Sequence, residues 1–329
     1  MPQGSDLPYD LVAVGRIGVD LYPTSDDLGK PLAEVSGFAR SLGGSPANVA
    51  VAAARHGLRT ALVTRVGADA FGDYARSALA GFGVDDRYVG TDKDWPTPVV
   101  FAEVLAPDES RLHFYRTPTA PDLQIRPADL DLDALAAARL VWVSGTGLSQ
   151  EPSRGAHAEI AATRRDGLLV FDLDYRAQFW PSALSARAAY AELLPAAAVA
   201  VGNLEEVEVA VGYRDPDEAA FALLEAGVRL AVVKRGADGV LARNRQRRVE
   251  IPAAQLPAVN GLGAGDAFGG ALCLGLLRGW PLDRVLRFAA AAGAIVASRI
   301  PCADAMPDFE ETEAVRRSQP GWRDAEDFE

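Results

Sequence analysis

Residues 260–272 read NGLGAGDAFGGAL, a glycine-rich turn that leads into an apolar run typical of a buried helix. Gly263 and Gly265 let backbone N–H groups converge without Cβ obstruction, and a helix N-terminus adds about half a unit of positive charge. With Ala264, these amides are predicted to form an anion hole for a transferring phosphoryl group. Asp266 is then placed to take a proton from an attacking hydroxyl.

Two other interpretations of this turn are a known nucleotide-binding loop and an ordinary helix-capping turn. A dinucleotide-binding fingerprint needs glycine at the position of Asp266, and it belongs in a first βα unit rather than near residue 260. No Gly-x-x-x-x-Gly-Lys-Ser/Thr loop occurs in the sequence. An ordinary glycine-rich turn that caps a buried helix fits these residues as well as a reaction centre does, so the motif alone leaves both open.

Strand-like apolar runs alternate with helical patterns along most of the chain. The predicted strands are Leu11–Val14, Ala61–Val66, Leu140–Ser144, Leu168–Leu173, Ala198–Val201 and Leu230–Val233. Predicted helices between them include Pro46–His56, Ala70–Ala80, Ser153–Arg165 and Asp217–Glu225. Such alternation predicts a largely parallel sheet covered by helices on both faces, with ligands at the carboxyl ends of the strands.

Two segments, residues 17–38 and 97–115, break the alternation. In the second, two strand-like runs flank a predicted turn at residues 107–110. We expect both segments to form a separate, smaller sheet built from about residues 16–40 and 95–118. A β-lid of this kind at the ligand edge would exclude water from a phosphoryl transfer.

Composition narrows the class of protein. The 329 residues, 49% of them hydrophobic, suffice for one large α/β domain or two ordinary ones. The net charge of −12 argues against a nucleic-acid partner, and the arginine-rich segment 243–248 is typical of a solvated hairpin. Cys273 and Cys302 fit no metal spacing and are predicted to be reduced packing residues. With no signal sequence and no long apolar segment, the sequence predicts a cytoplasmic protein without membrane contact.

Two motifs carry a resemblance to a known family. GGSPAN at 43–48, continuing to Gly67, and GAGD at 263–266 resemble, in the expected order, the signature regions of the ribokinase-like, or PfkB, carbohydrate kinases. This resemblance implies a ribokinase-like three-layer α/β/α sandwich with a mostly parallel central sheet and a small β-sheet lid. It also implies one kinase domain over residues 1–319, followed by an acidic flexible tail at 320–329.

Shorter strings indicate a subfamily. GRIGVDLYP at 15–23, FYR at 114–116 and DLDYR at 172–176 are most similar to the 5-dehydro-2-deoxygluconokinases of inositol catabolism. The resemblance implies phosphorylation of 2-deoxy-5-keto-D-gluconate with ATP and Mg²⁺. A 2-keto-3-deoxygluconate kinase, a fructokinase and a nucleoside kinase remain alternatives within the fold. A catalytically inactive sugar- or nucleotide-binding regulator is the alternative from another class, because Asn260 and Gly261 stand where most members carry Asp-Thr.

The resemblance also assigns residues to the sugar. Asp20 would accept hydrogen bonds from sugar hydroxyls, although a turn-capping aspartate fits the local sequence. Gly43 and Gly44 would permit close backbone approach, and Asn48 offers a donor and an acceptor on one side chain. A helix start that binds nothing would show the same residues.

Arg116 and Arg176 are the predicted carboxylate ligands, because a guanidinium fork pairs bidentately with a sugar acid. For Arg116 the alternative is a surface arginine on the β-flap. For Arg176 it is an internal ion pair with Asp172 or Asp174.

The nucleotide side is assigned in the same way. Asn203 and Glu206 would hold the water shell of Mg²⁺, although acids at a helix start also complement its dipole. Residues 234–239 resemble the family's nucleotide-contacting loop, and their glycines also suit a plain strand reversal. The nucleotide-binding residues implied are Asn203, Lys234, Gly236, Gly239, Gly263 and Gly265. Residues 298–303 resemble a segment that binds a monovalent cation such as K⁺ in relatives, and the lid strands suggest a homodimer.

Overall fold

The structure is a computed structural model that describes residues 8–106, 109–164, 167–300 and 302–322. Its strands are β1 (Leu11–Val14), β2 (Gly18–Pro23), β3 (Phe38–Gly43), β4 (Thr60–Gly67), β5 (Val84–Asp85), β6 (Val89–Asp92), β7 (Val99–Ala106), β8 (Glu109–Tyr115), β9 (Leu140–Ser144), β10 (Leu168–Asp172), β11 (Val199–Asn203), β12 (Leu230–Lys234), β13 (Val240–Arg243) and β14 (Arg248–Ile251). Its helices are α1 (Ser45–Arg55), α2 (Ala70–Gly81), α3 (Leu132–Ala137), α4 (Ser153–Thr163), α5 (Ala183–Leu193), α6 (Leu204–Val211), α7 (Pro216–Glu225), α8 (Ala264–Leu277), α9 (Leu282–Ala297) and α10 (Phe309–Ser318).

The described residues form a central sheet in the order β14-β13-β12-β11-β10-β9-β1-β4-β5, with β6 also paired to β4. Every pairing from β12 to β5 is parallel, and β13 and β14 add an antiparallel edge. Parallel strands must be joined by crossovers, which is why helices alternate with them along the chain. The carboxyl ends of the strands therefore meet along one edge of the sheet.

Helices cover both faces of this sheet. Leu11 and Ala13 of β1 pack into a core formed with α1, α2, α8 and α9, whereas Val12 and Val14 pack into the core on the opposite side with α3 to α7. Because successive side chains of a strand point to opposite faces, a strand buried on both sides reads as an unbroken apolar run. This burial explains why the central strands are visible in the sequence.

Four strands form a second sheet in the order β3-β2-β7-β8, which we call the lid sheet. Alternate residues of the lid sheet face inward over a cavity, among them Asp20, Tyr22 and Phe114. On its outer face, Phe101 makes edge-to-face ring contacts with both Phe38 and Tyr115. The lid sheet therefore has one face lining a cavity and one aromatic face turned away from it.

The predicted α/β/α sandwich with a mostly parallel sheet and a small separate sheet is confirmed. The six predicted central strands and four predicted helices coincide with β1, β4, β9 to β12, α1, α2, α4 and α7 to within a few residues. Most of the predicted acidic tail, residues 323–329, and the centre of the predicted lid turn, residues 107 and 108, lie outside the described residues. None of the helices in the described ranges has the length and apolar character that crossing a membrane requires.

Candidate active site

A cavity lies where the carboxyl ends of the parallel strands meet the inner face of the lid sheet. Asp172, Asn203 and Lys234 end the neighbouring strands β10, β11 and β12, so the parallel pairing alone brings them together. The starts of α1 and α8 close the cavity from another side through Ser45 and Asp266. Residues far apart in the chain thus share one small volume.

Asp266 lies in the first turn of α8, and its carboxylate is held at both oxygens. Ser45 Oγ donates to Oδ1 at 2.7 Å, and Asn48 Nδ2 donates to Oδ2 at 2.9 Å. Burial raises the pKa of Asp266, and the two hydrogen bonds oppose that rise by favouring the charged form. Asp266 is therefore a half-buried acid that faces the cavity and is fixed at both oxygens, an arrangement that suits a general base.

The turn before α8 places its glycines against particular neighbours. Gly263 has a φ of 77°, and a Cβ there would lie 2.7 Å from Cys302 Sγ. A Cβ at Gly265 would lie 3.1 Å from Lys234 Nζ. The first N–H groups of a helix have no partner within the helix, and Gly263 and Gly265 line the cavity at this end of α8. Donors at a helix N-terminus beside a cation suit an anionic ligand.

The predicted magnesium residues form a capping box at the start of α6. Asn203 Oδ1 accepts from the N–H of Glu206 at 2.9 Å, and Glu206 Oε2 accepts from the N–H of Asn203 at 2.7 Å. Both residues line the cavity, and Glu206 Oε1 lies 3.6 Å from Arg176 Nη1. Both side chains thus cap the N-terminus of α6, and Oε1 of Glu206 takes no part in the capping box.

Lys234 and Asp172 each favour the charged form of the other. Burial lowers the pKa of Lys234, but Glu206, Asp172 and Asp266 together more than offset that effect, so the pKa ends above its usual value. Burial raises the pKa of Asp172 well above the usual range, although Lys234 opposes the rise. Lys234 therefore stays charged in the cavity, and Asp172 favours its protonated form.

Asp20 projects from β2 into the cavity and is only 8% exposed. Burial raises the pKa of Asp20 to about 7; Arg16 opposes the rise and Asp266 adds to it. Within the described residues, Asp20 accepts no side-chain hydrogen bond, so both carboxylate oxygens remain available to hydroxyl donors. The turn-capping alternative finds no support in this geometry.

The atoms around Gly43 and Gly44, the paired glycines before α1, leave no room for a side chain. A Cβ at Gly43 would lie 2.1 Å from Asp20 Oδ1. Gly44 has a φ of 97°, and a Cβ there would lie 2.6 Å from the carbonyl oxygen of Arg16. Gly44 and Asn48 line the cavity, and Asn48 Oδ1 is buried without a hydrogen-bond partner in the described residues. Ligand approach at these glycines stays a prediction.

The two predicted carboxylate ligands line the cavity but already have acidic partners. Arg116 Nη2 lies 2.8 Å from Asp122 Oδ2, and its side chain is only 5% exposed, so the surface-arginine alternative is wrong. Arg176 Nη2 lies 3.1 Å from Asp174 Oδ1, which is the internal ion pair considered as the alternative for this residue. An internal ion pair does not exclude ligand contact, because a guanidinium carries five donors.

Sequence reasoning did not single out Arg16, which follows β1 and lines the cavity. Its Nη2 donates to Asp174 Oδ2 at 2.8 Å. Asp174 also accepts from Thr146 Oγ1 at 3.1 Å, and it has a φ of 31°, which is unusual for a residue other than glycine. Its arginine partners keep the pKa of Asp174 below the usual range despite burial. No local signal could have shown that Arg16 meets a residue 158 positions away.

Gly236 and Gly239 do not line the cavity. They lie in the turn between the antiparallel strands β12 and β13, and a Cβ at Gly239 would lie 2.1 Å from the carbonyl oxygen of Ile251. The strand-reversal interpretation accounts for both glycines. Their contact with nucleotide stays a prediction.

Asn260 is buried and holds the loop before α8. Its Nδ2 donates to the carbonyl oxygen of Arg299 at 2.5 Å, and its Oδ1 accepts from the N–H of Leu262 at 2.8 Å. Both ends of the amide are therefore used in shaping the turn, and Asn260 does not line the cavity.

Within the described ranges, no group of three His, Cys, Asp or Glu side chains is arranged to hold a metal ion.

A three-layer α/β fold with an acid at a helix N-terminus beneath a small second sheet is the arrangement that the sequence predicts for a ribokinase-like phosphotransferase. Residues 9–308 match the model of the pfkB family carbohydrate kinases, and the chain belongs to this family. It is thus an ATP-dependent carbohydrate kinase, and the resemblance noted in the sequence is confirmed.

Named relatives support this assignment, and solved structures share the fold. The chain is 33% identical over 322 residues to the 5-dehydro-2-deoxygluconokinase of Geobacillus thermodenitrificans (strain NG80-2), covering 95% of this chain and 94% of that protein. It is 32% identical over 310 residues to the same-named protein of Clostridium perfringens (strain 13), covering 92% and 91%. The fructokinase of Xylella fastidiosa with bound ATP has a TM-score of 0.82 at 24% identity, covering 94% of this chain and 98% of that one. The aminoimidazole riboside kinase of Salmonella enterica has a TM-score of 0.78 at 25% sequence identity, covering 93% of this chain and 99% of that one.

Proposed function

We propose that this enzyme transfers the γ-phosphoryl group of ATP to a hydroxyl of 2-deoxy-5-keto-D-gluconate (5-dehydro-2-deoxygluconate), giving the 6-phosphate in myo-inositol catabolism. One cavity holds Asp266 at a helix N-terminus together with Arg16, Arg116 and Arg176, and this combination is the main support for the proposal. The first feature suits phosphoryl transfer, and the arginines suit an acidic sugar. The names of the relatives support the same substrate.

In the proposed reaction, the residues that line the cavity have separate roles. Asp266 removes the proton of the acceptor hydroxyl, and the N-terminal amides of α8 stabilise the negative charge that grows on the transferred phosphoryl group. Lys234, which stays charged beside Gly265, adds a cation for the phosphates. Asp20 and Asn48 orient the sugar through the carboxylate oxygens of Asp20 and the unpaired amide oxygen of Asn48.

Magnesium fits the donor set at the start of α6, which lines the cavity. Glu206 has an oxygen outside its capping bond, and carboxylate oxygen is a ligand that Mg²⁺ prefers, often through water. Asn203 and Glu206 would hold the ion through its water shell, and the ion would neutralise phosphate charge. A monovalent cation such as K⁺ at residues 298–303 stays a prediction, and residue 301 lies outside the described residues.

Release of ADP across a panel of acceptors tests the proposed substrate. We expect kcat/KM for 2-deoxy-5-keto-D-gluconate to exceed that for fructose and for nucleosides by about 100-fold or more, because buried guanidinium groups left without an anion are costly. 2-Keto-3-deoxygluconate tests the alternative sugar acid in the same assay. Preference for fructose or a nucleoside would refute the acid specificity, and no ADP release with any acceptor would support the inactive-regulator alternative.

The lid sheet offers a surface for the proposed homodimer. Its outer face carries Phe38, Phe101 and Tyr115 in contact, with ring centroids 5.1 and 5.5 Å apart, and Tyr115 is 65% exposed. Phe38 and Phe101 are half-buried, and a partly exposed aromatic cluster on a sheet face is typical of an interface.

We expect light scattering to show a dimer for the wild type and a monomer for Tyr115→Glu, because a buried unpaired charge opposes association. Tyr213→Glu is the matched control, since Tyr213 is a 49% exposed tyrosine outside the lid sheet. A wild type that stays monomeric at about 100 μM, or a Tyr115→Glu variant that stays dimeric, would exclude this interface.

A further inference from the structure

A small apolar cluster joins the lid sheet to the turn before α8. Its buried members come from β2, β7 and the loop after α9, and they are Tyr22, Ala102, Val104 and Cys302, with Leu112, Leu262 and Ile300 packed against them. Leu262 belongs to the glycine-rich turn, and Tyr22 lines the cavity from the strand that also carries Asp20. The proposed sugar-binding strand and the proposed phosphate-binding turn therefore share one region of packing.

One hydrogen bond lies inside this cluster. The Tyr22 hydroxyl and Cys302 Sγ are 2.7 Å apart, and both residues are buried. Burial raises the pKa of Tyr22 and of Cys302 well above their usual values, so the phenol and the thiol stay protonated and either group can donate. A protonated, buried thiol is a poor nucleophile, so Cys302 acts through packing and hydrogen bonding rather than through a covalent reaction.

Cys302 also packs directly on the glycine-rich turn. A Cβ at Gly263 would lie 2.7 Å from Cys302 Sγ and 2.8 Å from Cys302 Cβ, so the cysteine side chain occupies the space beside this glycine. Gly263 is the N-cap of α8. Glycine has more backbone freedom than any other residue, so the direction of the first N–H groups of α8 depends on what packs against Gly263. Tyr22 holds Cys302, and Cys302 in turn limits where Gly263 can lie.

A second side-chain bond fastens the same loop to the lid sheet. Ser41 Oγ on β3 donates to Asp304 Oδ2 at 2.5 Å. Ser41 lies opposite Asp20 in the register of β2 and β3. Both bonds thus run from the part of the lid sheet that carries Asp20 to the loop that packs on Gly263.

We propose that Tyr22 and Cys302 are positioning residues for phosphoryl transfer: Tyr22 fixes the Cys302 side chain, and Cys302 fixes Gly263 at the start of the anion hole. This inference rests on the proposed function of the α8 turn and adds a residue of the lid sheet to it. Neither side chain has to touch the transferred group, because a displacement of about 1 Å in an active site can slow a reaction about 100-fold. The bond keeps the sugar on β2 and the phosphate at α8 in a fixed relative position.

Tyr22→Phe tests this role, because it removes the hydroxyl and keeps the ring. In single-turnover and steady-state kinetics we expect kcat to fall about 30-fold, with sugar KM within about threefold of wild type. Cys302→Ser keeps a hydrogen-bond partner at a distance that suits two hydroxyls, so its kcat should stay within about threefold of wild type. Cys302→Ala should lower kcat at least as far as Tyr22→Phe does. Tyr22→Phe combined with Cys302→Ala should lower kcat no further than Cys302→Ala alone, because both changes break one bond.

Tyr9→Phe is the matched control, because Tyr9 also donates a 2.7 Å hydrogen bond, to Asp85, and does not line the cavity. Its kcat and sugar KM should equal those of wild type. For Tyr22→Phe, a higher sugar KM with unchanged kcat would overturn the inference, since Tyr22 would then contact the sugar itself. A lower melting temperature with unchanged kinetics would overturn it as well. Effects of Tyr22→Phe and Cys302→Ala that multiply in the double variant would show that the two residues act separately.

Failure of the proposed function would give a different result. Gly263→Ala places a Cβ against Cys302 and strains the left-handed backbone at this position, so it should lower kcat at least as much as Tyr22→Phe does if the turn is the anion hole. A wild-type kcat for Gly263→Ala would refute the function of the turn itself. A low kcat for Gly263→Ala beside a wild-type kcat for Tyr22→Phe would refute only the role of Tyr22 and Cys302.

Discussion

Replacing Asp266 with asparagine is expected to lower kcat by about 1,000-fold or more while leaving sugar affinity within a few-fold of wild type. The substitution removes the carboxylate that we propose as the base, whereas the shape of the site is kept. Single-turnover ADP release measures the chemical step, and isothermal titration calorimetry measures sugar binding. Turnover close to wild type would show that another group acts as the base.

The structure indicates that this variant can fold. The amide oxygen of an asparagine at 266 can still accept from Asn48 Nδ2, and its NH₂ group can donate to Ser45 Oγ, because a hydroxyl both donates and accepts. Asp283→Asn is the matched control, because Asp283 is also an acid in the first turn of an apolar helix, α9, outside the cavity. A melting temperature close to wild type for both variants would separate catalysis from stability.

Replacing Asp20 with asparagine is expected to raise the KM for sugar by about 100-fold, and to lower kcat as well, because the acceptor hydroxyl loses its orientation. Within the described residues, no side chain donates a hydrogen bond to Asp20, and sugar hydroxyls are the donors that we propose for its oxygens. Steady-state kinetics with the preferred sugar provide the measurement. Asp26→Asn, an exposed acid in the segment between β2 and β3, is the control and should behave as wild type.

The pKa of Asp20 also predicts how the KM for sugar depends on pH. The pKa of Asp20 is raised to about 7 by burial and by Asp266, with Arg16 opposing. Sugar hydroxyls donate to the charged form, so affinity should be full above pH 7 and fall as the pH drops through 7 and Asp20 takes up a proton. Sugar KM for the wild type should therefore rise below pH 7, and KM for Asp20→Asn should be nearly flat there. A wild-type KM that is constant from pH 6 to 8 would contradict a sugar contact at Asp20.

The sheet could be predicted from the sequence because its strands are buried on both faces. Segments such as Leu11–Val14 and Leu140–Ser144 are then short and entirely apolar, and the helices between them follow from parallel pairing. The lid sheet was visible as two interruptions of that pattern. The position of Asp266 was also predictable, since glycines before an apolar run indicate a helix start with the acid in its first turn.

The ion pairs of the site could not be predicted in the same way. The local sequence offers Arg176 both Asp172 and Asp174. Only the fold shows that Asp174 pairs with Arg16 and Arg176, while the charge of Lys234 acts on Asp172. Arg16 was missed because its partner comes from a distant strand end. Long-range pairing depends on which strands are neighbours, and periodicity carries no information about that order.

The packing of Gly43 against Asp20 has a consequence for engineering the substrate range of this enzyme. Any side chain at 43 would occupy the place of the Asp20 carboxylate, since even a Cβ would lie 2.1 Å from its Oδ1. Single-site libraries at either position would therefore return mostly inactive clones. New acceptors are better sought by randomising positions 20 and 43 jointly, so that a larger residue on one strand is matched by a smaller one on the other.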